Sequence, residues 1–137
     1  MLSLAVCSLI PQLVQGAETK GVKVVLTAEK AVYTPGEPIT FTFRVVNGTP
    51  KPVRLSFRTT QRFDLVLQDQ QGREVWRWSA GRVFAQVLGE ETLNPSGGEL
   101  LYQATVEGAF PQGVYTVTGI IPAMEGTLSA SITLGLQ

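Results

Sequence analysis

The segment ITFTFRVV, at residues 39–46, alternates apolar and polar side chains with a period of two. Successive side chains of a β-strand point to opposite faces of a sheet, so this period predicts a strand with one buried face. The segments VRLSFR at 53–58 and LSASITL at 128–134 show the same alternation. β-Branched and aromatic residues, which are frequent in these segments, suit such a pleated surface.

Clusters of proline, glycine, asparagine and aspartate separate the apolar runs, as expected for turns between strands. No segment of a dozen residues shows the 3.6-residue period of an amphipathic helix. The predicted strands cover about residues 22–29, 39–47, 53–58, 63–69, 73–78, 84–88, 99–107, 114–121 and 127–136. We therefore expect an all-β fold, an immunoglobulin-like antiparallel β-sandwich of about eight or nine strands, with a small barrel as the alternative.

Three of the turns carry more specific signals. The sequence DQQG at 69–72 predicts a type I turn closed by a glycine with positive φ. The sequence PQGVY at 111–115 resembles the turn into a late strand of immunoglobulin-like domains, where a tyrosine hydroxyl, here that of Tyr115, bonds back to the corner. The sequence NGT at 47–49 matches a glycosylation acceptor, but a structural role in the turn before Pro50 explains it better.

The composition excludes several classes of function. The 137 residues suffice for one domain, and 11 Lys plus Arg balance 11 Asp plus Glu. Without a basic run, neither nucleic acid nor an anionic membrane surface is expected as a partner. The chain has no histidine and its only cysteine is Cys7, so the usual general base and zinc ligands are missing. We expect no enzyme activity, no metal and no cofactor.

A few side chains in the middle of the chain could in principle bind a metal or take part in catalysis, but structural roles explain them better. Asp64, Asp69 and Glu74 do not have the spacing of a calcium loop, and Asp69 suits a turn. Ser79 has no histidine to activate it, and the lysines are remote in sequence.

The amino-terminal segment has a composition of its own. Residues 1–17 carry no charged side chain, and an apolar run followed by small residues resembles a secretory leader cleaved after Gly16. The run is too short for a membrane span. Lipid attachment at Cys7 and an apolar strand or helix packed on the domain are the alternatives. We assign 1–17 as a signal peptide or apolar leader and 22–137 as the domain, which predicts a secreted or cell-envelope protein, or a cytoplasmic one if the leader is no signal.

Trp76 and Trp78 are two residues apart in a predicted strand, so both rings should lie on the same face. One interpretation is that both pack in or near the core between the sheets. The other is an exposed aromatic platform that docks a partner, because tryptophan is enriched at interface hot spots. A mixed case, with one ring buried and one at the rim, is also consistent with the pattern.

A second candidate contact is Lys51, which lies between two prolines in the predicted loop 48–52. Proline fixes φ, so one interpretation is simply a stiff turn. The other applies if the protein blocks proteases, because a lysine followed by a proline is hard for most serine proteases to cut.

The middle of the chain resembles the BsuPI-type intracellular proteinase inhibitor domain, over roughly residues 22–121. The segments that carry this resemblance are FDLVL at 63–67, DQQGREVWRWS at 69–79, FAQ at 84–86, LNP at 93–95 and PQGVY at 111–115. The resemblance implies a β-sandwich that inhibits an endogenous serine protease of the subtilisin type. It supplies no defined inhibitory residue.

Two hypotheses follow for the function. The first is a non-enzymatic proteinase inhibitor that binds a serine protease through a loop or edge strand, using residues 48–52 or, preferably, 79–84. The second is a cell-envelope or extracellular immunoglobulin-like module that binds a protein without inhibiting it. The candidate partner-binding residues are Trp76, Trp78, Arg82, Phe84 and Lys51.

Overall fold

The computed structural model describes residues 13–19 and 21–137, with side chains from Gly21 onward. Within this part of the chain the regular structure consists of strands, and no helix is long and apolar enough to cross a membrane. The strands are β1 Leu13–Thr19, β2 Val22–Ala28, β3 Val32–Tyr33, β4 Ile39–Asn47, β5 Val53–Phe57, β6 Asp64–Gln68, β7 Glu74–Arg77, β8 Gly89–Leu93, β9 Glu99–Val106, β10 Gly113–Ile121 and β11 Leu128–Leu136.

The strands form two main sheets and one small one. The first sheet has the order β1-β2-β4-β9, the second β3-β11-β10-β6-β7, and β5 pairs with β8 in a two-stranded sheet. Neighbours are antiparallel, except that β3 runs parallel to β11. Burial alternates along β4 and β11, as the period of two predicts. The prediction of an all-β sandwich is confirmed, whereas its immunoglobulin-like character stays a prediction.

The two main sheets approach closely at Gly119 of β10. A Cβ atom at this position would lie 2.6 Å from the ring of Phe43 on β4, so only a glycine leaves room for that ring. Phe43 is itself almost fully buried, at the centre of a core to which both sheets contribute. At this point of close approach, the core between the two sheets is therefore filled by an aromatic side chain and not by aliphatic residues alone.

One strand prediction needs correction. Residues 84–88 were predicted as a strand, but they have no strand pairing, and β8 begins only at Gly89, where pairing with β5 starts. The strand β1, Leu13–Thr19, pairs with β2 and overlaps the end of the predicted leader at residues 1–17. The rest of that predicted leader, including Cys7, lies outside the described residues, so the leader itself stays a prediction.

The predicted corner and turn are confirmed. The hydroxyl of Tyr115 donates a hydrogen bond of 2.6 Å to the carbonyl oxygen of Pro111. In the turn after β6, the N–H of Gly72 donates to the carbonyl of Asp69, and Gly72 has a φ of 79°. The Asp69 carboxylate accepts hydrogen bonds from the backbone N–H groups of Gln71 and Arg73, so its role is in the turn.

Asn47 is a fully buried side chain at the end of β4 that joins two loops. Its Nδ2 donates to the carbonyl oxygens of Lys51, Leu93 and Asn94, at 2.7, 3.2 and 3.1 Å. Its Oδ1 accepts hydrogen bonds from the backbone N–H and the hydroxyl of Thr49. These contacts explain the NGT sequence structurally, because a glycan cannot be attached to a buried amide without unfolding the loop.

Asp64, at the start of β6, is 7% exposed and fixes the end of β7. Its Oδ1 accepts hydrogen bonds from the N–H groups of Leu65 and Ser79, and its Oδ2 accepts them from the Ser79 hydroxyl at 2.6 Å and Arg77 at 3.0 Å. Arg77 also forms an ion pair with Glu74. Burial alone would raise the pKa of Asp64, but these hydrogen bonds together outweigh it and lower the pKa below its ordinary value.

We predict that Asn47→Ala lowers the free energy of unfolding by about 2–4 kcal/mol. The substitution leaves buried carbonyl groups without donors, and each such group costs roughly 1–3 kcal/mol. Urea unfolding followed by tryptophan fluorescence measures the change. Asn94→Ala is the matched control, because the side chain of Asn94 is exposed, and it should stay within about 0.5 kcal/mol of the wild type. Equal stability of the two variants would contradict the assigned role of Asn47.

We predict that Asp64 contributes to the acid sensitivity of the fold. Because its pKa is lower in the folded than in the unfolded state, its stabilisation is present above the unfolded pKa and is lost as the pH falls through the folded pKa. Asp64→Asn should therefore lower the free energy of unfolding by about 2 kcal/mol at pH 7, and by less as the pH falls from about 5 to 3.

The measurement is urea unfolding at a series of pH values. The control is Glu107→Gln, which removes an exposed carboxylate and should leave the pH profile unchanged. A constant difference between wild type and Asp64→Asn across this pH range would show that the carboxylate charge does not stabilise the fold.

Candidate functional site

Trp76 lies on the inner face of the edge strand β7, and Trp78 lies on the same face just after the strand ends. Trp76 is paired with Leu67 of β6, and the N–H of Trp78 donates to the carbonyl of Leu65 just after β7 ends. Leu65 and Leu67 are fully buried, and both tryptophans are half-buried against the same core. The predicted shared face is therefore observed, with each ring in contact with the core and partly open to solvent.

Trp78 belongs to a continuous aromatic stack, which we define as Trp78, Phe63, Tyr102 and Phe43. The ring of Phe63 stacks on Trp78 at 4.2 Å between centroids and on Tyr102 at 5.3 Å. It also meets the ring of Phe43 edge to face at 5.1 Å. Both geometries are favoured arrangements for aromatic pairs. The stack thus connects the half-exposed Trp78 directly to the centre of the sandwich.

After β7 the chain makes a tight turn and returns to Trp78. The N–H of Ala80 donates to the carbonyl of Arg77, that of Arg82 donates to the carbonyl of Ser79, and Gly81 has a φ of 80° that favours glycine. The guanidinium of Arg82 then lies 4.2 Å from the centroid of Trp78, and its Nε donates to the carbonyl oxygen of Trp78 at 2.9 Å. A cation in this position is attracted by the indole ring.

Phe84 also turns towards Trp78, with its ring centroid 5.9 Å away. Between Arg82 and Phe84, the side chain of Val83 is 96% exposed. Ala85, which follows Phe84, forms two hydrogen bonds with Thr60. The Thr60 N–H donates to the Ala85 carbonyl, and the Ala85 N–H donates to the Thr60 hydroxyl. Residues 79–84 are here called the 79–84 loop. The residues before and after its exposed Val83 are therefore fixed by these contacts.

A partly buried ion pair lies near the inner end of the stack. Arg62 donates to Glu91 at 2.8 Å and covers the ring of Phe57 at 4.6 Å. The hydroxyl of Tyr102 is buried without a hydrogen-bond partner among the described residues. Its burial, reinforced by the negative charge of Glu91 and opposed by Arg62, raises the pKa of Tyr102 to about 12. Tyr102 is therefore neutral at physiological pH and supports the stack as an uncharged ring.

Lys51 lies in a different loop from the other four predicted residues. Its carbonyl oxygen accepts hydrogen bonds from Asn47 and from the Thr49 hydroxyl, while its side chain is exposed. The structure joins Trp78, Arg82 and Phe84 into one cluster with Trp76 on the adjoining strand, and shows no contact of Lys51 with that cluster. The stiff turn expected around Lys51 is therefore present, and any role of Lys51 in binding stays a prediction.

The residues that position this cluster were not predicted from the sequence. Phe63 and Tyr102 form the stack, Thr60 holds the loop, and Val83 is its most exposed side chain. Phe63 was recognised only as part of the family resemblance, and the alternation in β9 could have placed Tyr102 on the inner face. No local signal could have revealed Thr60, because its partner Ala85 lies far along the chain.

The polar side chains next to this cluster have structural roles. The Ser79 hydroxyl donates to Asp64, whose carboxylate is in turn paired with Arg77, so these groups fix the backbone. Within the described part of the chain, no group of three His, Cys, Asp or Glu side chains has the arrangement of a metal site. What the cluster offers to solvent is a rigid loop with aromatic, cationic and apolar contacts.

Solved structures with the same fold have low sequence identity to the chain. Spo0M, a sporulation control protein from Bacillus subtilis, is similar with a TM-score of 0.58 and 21% identity, covering 87% of this chain and 50% of that one. The C-terminal domain of wzt is similar with a TM-score of 0.57 and 13% identity, covering 90% and 78%. The chain thus spans about half the length of Spo0M, and at these identities the likeness shows the fold alone.

No curated protein sequence matches the chain significantly. The sequence model of the BsuPI family, described as intracellular proteinase inhibitor, matches residues 26–126. The predicted secreted or cell-envelope location was therefore wrong, since it rested on the apolar amino terminus alone, whereas this family is described as intracellular. The match covers more than half of the chain and confirms the resemblance seen in the sequence: the chain belongs to the BsuPI family of intracellular proteinase inhibitors.

Proposed function

We propose that the protein is a non-enzymatic inhibitor of a serine protease of the subtilisin type, and that it binds the protease through the 79–84 loop. Membership of a proteinase inhibitor family supports a protease as the partner. Because function resides in a site rather than in a fold, the choice of the loop needs its own physical argument.

The observation that carries the proposal is the fixation of the loop on both sides of Val83. Arg82 lies over the indole ring of Trp78, the ring of Phe84 is 5.9 Å from the same ring between centroids, and Ala85 is bonded to Thr60. A loop already held in one conformation loses little conformational entropy when a protease binds it. An inhibitor needs this property, because a flexible loop would bind as weakly as an ordinary substrate.

The position of the loop also favours protein recognition. Its base is the aromatic stack, and the half-exposed Trp76 and Trp78 supply large rigid surfaces of the kind that dominate interface energetics. Arg82 adds a charge beside this surface without a carboxylate partner among the described residues. Aromatic residues and arginine are the types enriched at the centres of protein interfaces.

The loop 48–52 is the weaker candidate. It is also held in place, because Asn47 and Thr49 bond to the Lys51 carbonyl, and two prolines restrict its backbone. However, its exposed side chain is a flexible lysine, and lysine is depleted at interface cores. The proposal therefore places the main contact in the 79–84 loop, and Lys51 serves as the internal comparison.

We predict that Arg82→Ala and Phe84→Ala each weaken inhibition about tenfold or more, because each removes a contact that holds or flanks the binding loop. Inhibition constants are measured with the purified full chain against a panel of subtilisin-type proteases. Arg58→Ala is the matched control, since Arg58 is exposed and forms no ion pair among the described residues, and it should leave inhibition unchanged.

Lys51→Ala distinguishes the two loops. If Lys51→Ala abolishes inhibition while Arg82→Ala and Phe84→Ala do not affect it, the site lies in the 48–52 loop. If the wild-type protein inhibits no protease of the panel at micromolar concentration, the proposed function itself is wrong. Urea unfolding of every variant separates a lost contact from a lost fold.

A further inference from the structure

We propose that Val83 is the side chain that enters the main substrate pocket of the target protease, and that this pocket therefore accepts a medium-sized, uncharged apolar side chain. This inference rests on the proposed function and names the class of protease. The exposure of Val83, the fixation of its neighbours and the free backbone groups of residues 83 and 84 support it.

Val83 is the most exposed large apolar side chain in the described part of the chain. Its neighbours along the loop behave differently, because Arg82 lies over Trp78 and Phe84 is half-buried beside the same ring. Exposed apolar residues are common on protein surfaces, and Val87 and Leu88 are exposed as well. Val83 differs from them in lying between two residues that are anchored on Trp78. Because Val83 is almost fully exposed, its burial in a pocket would remove the most apolar surface from water and contribute the most binding free energy.

The backbone around Val83 is also available. Among the described residues, no hydrogen bond engages the N–H or C=O groups of Val83 or Phe84. The flanking residues are engaged, with the N–H of Arg82 bonded to Ser79 and both backbone groups of Ala85 bonded to Thr60. Free backbone groups in an exposed segment can pair with a strand of the partner, while side-chain pockets give specificity.

The uncharged, apolar side chain of Val83 limits which proteases can be the target. A pocket that buries valine closely does not need a buried charge, and a charged residue in it would lose its hydration without compensation. Proteases whose main pocket carries a carboxylate for lysine or arginine are therefore poor targets. Arg82 cannot take this place in the observed conformation, because its guanidinium is held over Trp78 and its Nε is bonded to the Trp78 carbonyl.

The test is a set of substitutions at the one exposed position, with inhibition constants measured against subtilisin and trypsin. We expect the wild type and Val83→Leu to inhibit subtilisin, and Val83→Asp to inhibit it at least 100-fold more weakly. Val83→Lys should gain inhibition of trypsin, whose pocket binds a lysine through its carboxylate. The matched control is Val114→Lys on β10, where the valine is 48% exposed, and it should behave as the wild type.

The outcomes separate the inference from the proposed function. If Val83→Asp inhibits subtilisin as tightly as the wild type while Arg82→Ala and Phe84→Ala weaken inhibition, Val83 does not occupy the pocket and the inference is overturned. If the wild type inhibits neither subtilisin nor other apolar-pocket serine proteases, the proposed function fails and the inference with it. Because Val83 makes no contact that stabilises the fold, none of its variants should change the midpoint of urea unfolding.

Discussion

The stacking of Trp78 on Phe63, at 4.2 Å between ring centroids, is the contact on which the candidate site depends. Phe63 is buried between the sheets, and its other neighbours are Phe43 and Tyr102. One face of the indole is thereby fixed to the core. The remaining surface of Trp78 is left to receive Arg82 and Phe84, so the conformation of an exposed loop is determined by a contact within the core.

A polar network fixes the backbone at the same place. Asp64 accepts hydrogen bonds from Ser79 and Arg77, the residues on either side of Trp78. Burying this carboxylate is costly unless it is fully bonded, so the network is either complete or strongly destabilising. Stacking and hydrogen bonding therefore act together on three consecutive residues. The result is a rigid base for an exposed loop.

The sequence predicts the features that depend on local pattern. The alternation at 39–46 and 128–134 correctly identified β4 and β11, and local turn chemistry identified the Tyr115 corner and the Gly72 turn. Prediction from the sequence failed where contacts between residues far apart in the chain determine the secondary structure. The sequence GEETL of β8 has no apolar alternation and is a strand because it pairs with β5, whereas 84–88 looks like a strand but has no ladder partner.

In the candidate site, too, local features were predicted and contacts between distant residues were not. Trp76, Trp78, Arg82 and Phe84 were chosen from aromatic content and spacing, and the structure brings the last three together. Thr60, Tyr102 and the burial of Asp64 were not predicted, because each depends on a residue far away in the chain. The leader was predicted from an apolar run followed by small residues, and a segment of this composition also suits a strand such as β1.

Amide hydrogen exchange of the protein, free and bound to a subtilisin-type protease, tests the central claim most directly. In the free protein the N–H groups of Val83 and Phe84 have no hydrogen-bond partner among the described residues, so they should exchange rapidly. In the complex, the account predicts that the strongest gain in protection falls on residues 82–85. Protection concentrated on residues 48–52 or on the free edge of β9, with exchange at 82–85 unchanged, would contradict it.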